Sequence, residues 1–148
     1  LSAQEKHGAK RNAEVGQILI RLSTFEVETL QKRLADVVTR RTHVEMKVAT
    51  LDAEYEVECS KAASDIALQH HMTAYKRGFK HRRDTLVAEL DTIVHEEDGV
   101  RDSLAHAFED LKKFEHVAEI AHLKRVATAT RIENAAMDEV ALRLKRQA

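Results

Sequence analysis

The sequence predicts an all-α fold, a long antiparallel two-helix coiled-coil hairpin, on three observations. Apolar residues return every three or four places over long stretches, no proline interrupts them, and Ala, Glu, Lys, Leu and Arg are abundant. Alternating steps of three and four average about 3.5 residues, the period that keeps one narrow stripe of a helix facing a partner helix. A stripe of two positions in seven cannot bury itself, so each such helix needs a second one.

Composition narrows the possibilities further. With 33% of its residues charged, 4% aromatic and no Trp, the chain is poor material for a globular core and good material for long solvated helices. The formal net charge is −1 with both signs interspersed, so the overall field offers nothing to a polyanion, and neither nucleic acid nor an anionic membrane is expected as the main partner. Cys59 is the single cysteine, which excludes an intrachain disulfide and points to a reducing compartment. No apolar run approaches the roughly 18 residues of a membrane span, and the first residues lack a basic-then-apolar signal pattern, so the expected location is cytoplasmic without membrane insertion.

Taken in order, residues 1–12 are poorly patterned, and Gly8 and Gly16 each cost a helix interior about 1 kcal/mol relative to Ala. A single coiled-coil domain is expected over 13–148. Its first helix, about 13–59, carries the stripe Ile20, Val27, Leu30, Leu34, Val37, Val44, Val48, Leu51 and Tyr55, interrupted by Ser23, Arg41 and Glu58. The pattern weakens after Cys59, where Ser60, Ser64 and Asp65 offer N-cap chemistry. The reversal is placed at about 60–65, a bent continuous helix being the alternative. The second helix, about 66–145, carries Leu86, Leu90, Ile93, Val100, Leu104, Ala107, Leu111, Phe114, Ala118 and Ala121, with Glu97 and Arg125 as polar interruptions.

Setting the two stripes antiparallel gives a testable register. A dry seam results when Val27 faces Phe114, Val37 faces Leu104, Val48 faces Ile93, Leu51 faces Leu90 and Tyr55 faces Leu86. In that register Glu58 falls opposite Arg83, and Arg41 and Glu97 lie in adjacent layers within reach of one another. Beyond about Arg131 the second helix has only the poorly patterned first residues to face, yet Ile132, Met137, Val140, Leu142 and Leu144 continue its apolar content. Those five are expected to bind a partner.

Nothing in the sequence assembles catalytic chemistry. No two of the nine histidines stand at the i,i+3 or i,i+4 spacing of a helical metal pair, and no phosphate loop, nucleophile elbow or Cys-His constellation is present. A narrow helix pair also lacks a concave pocket in which to shift a pKa. The chain is therefore not expected to be an enzyme or to hold a metal or cofactor. The densest basic cluster, Lys76 to Arg83, includes Phe79 and lies just after the turn. An ordinary solvated tip explains it; as a functional surface it suits an acidic protein better than nucleic acid, with Tyr55, Tyr75, Phe79, Arg82 and Arg83 as contacts.

Several stretches also resemble a known family. The run Ala105 to Glu115 (AHAFEDLKKFE), the basic Lys124 and Arg125, then Arg131, Glu133 and the close Met137 to Arg143 (MDEVALR) are similar to the FliJ family of flagellar export proteins, especially its alphaproteobacterial branch. Arg21-Leu22 with Phe25-Glu26-Val27, and Arg82 to Leu86, agree with it, and the likeness covers about residues 20–145. The resemblance implies a stalk like that of rotary ATPases, with helix ends in the export ATPase ring and the tip at the cytoplasmic domain of the export gate or at substrate chaperones. It implies a place at the flagellar base, peripheral to the inner membrane. The alternative is a generic homodimeric coiled-coil scaffold.

Overall fold

A computed structural model describes residues 2–148 and is an all-α helical hairpin. Helix α1 runs Ala3–Ser64, a single turn α2 runs Ile66–Gln69, and α3 runs Met72–Gln147. Leu1, the first of the poorly patterned residues, lies outside the described part. Helix α1 opens on a capping box: Ser2 N donates to Glu5 Oε2 at 2.7 Å and Glu5 N donates to Ser2 Oγ at 3.3 Å. Those two bonds satisfy donors that the first turn cannot, and they carry the helix through the weakly patterned residues to the stripe. Thr39, Thr42, Thr85 and Thr92 each donate a hydroxyl to the carbonyl four residues back, so these β-branched polar residues sit in helix without competing for solvent-facing backbone.

The reversal is built where the stripe weakens. Asp65, in extended backbone, caps α2 by accepting from Ala67 N at 2.9 Å, and His71 N donates to Leu68 O at 3.1 Å before α3 begins. The chain therefore turns back rather than continuing as a bent helix.

Two compact units divide the hairpin, Glu28–Ala105 and Leu1–Val27 with His106–Ala148. In the first, here the turn unit, Val37, Val44, Ile93 and Val100 form a buried cluster with Leu34, Leu86 and Leu90 packed against it. These are stripe positions of both helices, and Val37 is wholly inaccessible. The register differs by one helical turn from the dry seam read from the sequence. Leu51 shares a groove with Leu86 instead of Leu90, and Ile93 shares one with Val44 instead of Val48, each about one turn away; close to the reversal Tyr55 stacks on Phe79, seven residues before Leu86.

The observed register replaces a reach between adjacent layers with a direct pairing of the two seam charges. The dry register sets Arg41 against Val100 and Glu97 against Val44, whereas the observed one brings Arg41 Nε to 2.8 Å from Glu97 Oε2. That Nε–H points off the oxygen, so the contact is ionic without being a directed hydrogen bond. Arg101 completes the node by donating to Glu97 Oε1 at 2.7 Å. Beside it Arg40 donates to Glu96 at 2.7 Å, which raises the Arg40 pKa chiefly through that bond, and Arg83 donates to Asp52 at 3.0 Å. Glu58 pairs instead with Lys61 on its own helix, at 3.4 Å.

In the terminal unit the same antiparallel sense holds, with residues 5–19 of α1 beside 114–132 of α3. Val27 and Ala107 are buried there, and burial then declines until every residue from Ala129 to Ala148 is exposed.

Gly99 sits in the middle of α3 with open space where a Cβ would stand. Gly99→Ala is expected to raise the unfolding free energy by about 0.5–1 kcal/mol, through lower unfolded-chain entropy and better helix propensity. A higher urea midpoint at unchanged slope checks it.

Candidate functional site

The turn unit brings together three of the residues singled out at the tip. Tyr75 and Phe79 stand four apart on α3 and share one face, to which α1 presents Tyr55. The Tyr55 and Phe79 rings stack with centroids 4.1 Å apart and planes 18° apart; Tyr55 and Tyr75 are parallel within 3° at 6.1 Å. Offset stacking of this kind adds about 0.5–1.5 kcal/mol beyond area burial. All three rings are half-buried, so the stack ties the helices together and still shows a polarizable edge to solvent. A hydrogen bond with Cys59, one turn along α1, together with desolvation holds the Tyr55 phenol above its ordinary range, and the group stays neutral and able to donate.

Arg82 and Arg83 diverge. The Arg83 charge is consumed by Asp52, which leaves Arg82 at the edge of a groove with His43, Lys47, Leu51 and Leu86. Met46 lines the same groove while 63% exposed, and reading the sequence for a stripe missed it because it lies off the a and d positions. A methionine standing off the stripe in mid-helix was the available signal.

The terminal unit holds the other five. Ile132 is 51% exposed and lines a groove with the first turns of α1, floored by Ala9, Ala13 and Ala129. Met137, Val140 and Leu144, spaced by three and four, line a shallow apolar depression with Ala136 and Ala141, to which α1 contributes no residue. Leu142 is exposed but lies outside that depression. The five therefore do not form one surface: one borders the helix pair, three make a strip of α3, and one points elsewhere. Sequence reading also passed over Lys6 and Lys10 near Ile132, and took Lys124 and Arg125 as carriers of the family likeness and not as the rim of a groove. Alanines at stripe positions with lysines beside them were the available sign.

Among the described residues no helix is long and apolar enough to cross a membrane. What these surfaces can do chemically is bind, through aromatic edges beside an arginine in one unit and apolar strips beside lysines in the other.

Comparison with known proteins agrees with the likeness in the sequence. A family model described as "Flagellar FliJ protein" matches residues 17–148. Two curated proteins of that name, from the NA1000 / CB15N and CB 15 strains of Caulobacter vibrioides, are each 46% identical to this chain over 125 residues, covering 84% of it and 90% of the relative. No solved structure matches.

Proposed function

Because this chain belongs to the flagellar FliJ family, we propose that it is a non-enzymatic stalk and coupling component of the flagellar type III protein export apparatus. Its helix ends engage the export ATPase ring, through Ile132, Met137, Val140, Leu142 and Leu144. Its turn region, with Tyr55, Tyr75, Phe79, Arg82 and Arg83, engages the cytoplasmic domain of the export gate or an export chaperone. It works in the cytoplasm, peripheral to the inner membrane at the flagellar base.

The observation that carries the reading is the family match over residues 17–148, which takes in most of α1, the turn and all of α3. Geometry supports it. The apolar strip Met137, Val140 and Leu144 is the kind of surface a helix offers to a groove in another protein. Coupling in such a rod is positional: contacts that differ between two states of the ring bias one over the other, and no bond is made or broken.

Removal of residues 131–148 is expected to abolish binding to the purified ATPase ring in a pull-down, while circular dichroism keeps the helical signal of the remaining pair. Phe79→Ala with Arg82→Ala, on the full chain, is expected to weaken gate-domain binding and leave ring binding alone. Ring binding unchanged by the truncation counts against the assignment of ends to roles.

A further inference from the structure

Beyond Ile20 and Phe114, toward the helix ends, the seam of the terminal unit is built from small residues. Where the turn unit fills its stripe with Val37, Val44 and Ile93, the stripe here carries Ala13 and Gly16 on α1 and Ala118, Ala121 and Thr128 on α3. A Cβ added to Gly16 would meet nothing within 4 Å. Holes that a coiled coil normally fills with large knobs therefore stand open between the helices, as two adjoining apolar grooves that share Ala13 and Arg125.

Charge around the first groove is one-sided. Lys6, Lys10, Lys124 and Arg125 line it, and none of them makes an ion pair among the described residues. One carboxylate lines it among the described residues, Glu5, which accepts from Ser2 N at 2.7 Å and keeps its charge, so cations still outnumber carboxylates on the rim. In the turn unit Arg40, Arg41, Arg83 and Arg101 each face a carboxylate, while Lys47 and Arg82 border a groove without an ion pair among the described residues, so what marks the terminal groove is four cations gathered on one rim. With a formal net charge of −1 for the whole chain, four cations against one carboxylate over an apolar floor are a local excess and not a consequence of bulk charge.

An occupant must supply what is missing on both counts: large apolar side chains for the holes and negative charge for the rim. We propose that this groove docks an acidic amphipathic helix of a partner protein, completing a three-helix coiled coil. A phosphate polyanion would answer the lysines and leave the apolar floor bare, and a second copy of this chain brings mixed charge. Small residues let a third helix approach at the usual 8–10 Å between axes, and charge complementarity sets its direction and speeds its arrival. The inference deepens the reading of the helix ends as a ring contact, and rests on that reading only for which protein supplies the helix.

The test uses the full chain and a fluorescent synthetic peptide of about three heptads with Leu at a and d and Glu at e and g, whose own repulsion keeps it apart at low salt. Fluorescence anisotropy is expected to show saturable binding that weakens with added salt. Lys10→Glu with Lys124→Glu is expected to weaken binding at least about tenfold. The matching peptide with Lys at e and g is expected to bind this double variant and not the unaltered chain. Ala13→Leu, which fills a hole, is expected to weaken the acidic peptide without touching charge. Circular dichroism establishes that each variant is folded.

Failure of the acidic peptide to bind, indifference to the charge reversal, or equal binding of both peptides overturns the proposal. So does light scattering that shows two chains in the complex, which assigns the groove to a second copy. Peptide capture without ring binding leaves this proposal standing and removes the ring from the functional reading; ring binding without peptide capture does the reverse.

Discussion

Ile93→Ala is expected to lower the unfolding free energy by about 2–4 kcal/mol, a loss that a seam with few buried residues has little to absorb. Ile93 is 6% exposed and belongs to the cluster that joins Val37 and Val44 of α1 to Val100 of α3. Truncation removes its transfer free energy and leaves a void, because the flanking valines are too stiff to collapse into it. Urea unfolding followed by circular dichroism measures the effect as a lower midpoint at unchanged slope. Ile120→Ala, on the same helix but 44% exposed, is the control and is expected to change stability by less than about 1 kcal/mol. Equal losses at both positions would mean that the seam does not hold the pair together.

The second large effect concerns the charges inside that seam. Glu97→Ala is expected to cost about 2 kcal/mol, short of the about 3–5 kcal/mol of a fully buried broken pair, because its partners reach water. The Glu97 side chain is 7% exposed, whereas Arg41 is 31% and Arg101 58% exposed. Replacing both members, as Arg41→Met with Glu97→Leu, is expected to restore the lost stability or exceed it, since no buried charge is then left unanswered. The same double replacement removes the direct charge pairing of the observed register. Disulfide trapping on a Cys59→Ser background distinguishes the two alignments: cysteines at positions 51 and 86 report the observed one, and cysteines at positions 51 and 90 report the one slid by a turn. The unaltered seam is expected to trap only the first pair, and the double variant both. If the double variant traps only the first, apolar packing alone sets the alignment.

Much of this protein is legible without coordinates. The a and d positions from Ala13 to Ala62 can be counted from Val27 and Leu30, and every one of them is buried or half-buried. The cap at Asp65 follows from a short acceptor side chain placed where an apolar pattern lapses and resumes. Even the meeting of Arg41 with Glu97 is foreshadowed, because two interruptions of opposite sign fall at nearly matching heights of the two stripes. Family membership rests on the order of letters, and the residues that carry the likeness lie mostly on the second helix.

Register, by contrast, was not legible, and neither were the sites that depend on it. A slide of one turn keeps every stripe residue in the seam and exchanges only which layers meet, so periodicity is blind to it. Aromatic residues at 55, 75 and 79 are visible in the sequence, but their stack exists only in the alignment that carries Tyr55 past Leu86 to Phe79. The alanine-floored groove likewise requires small residues of α1 to stand beside small residues of α3, a coincidence of two distant stretches. The sequence by itself determined the helices, their stripes and their need for a partner, since these follow from the spacing of apolar side chains along one chain. Tertiary structure alone decided the layers, the stacked rings, the basic groove and the place of Arg101 in the charge node, because each depends on which side chains of two distant stretches are brought level across the seam.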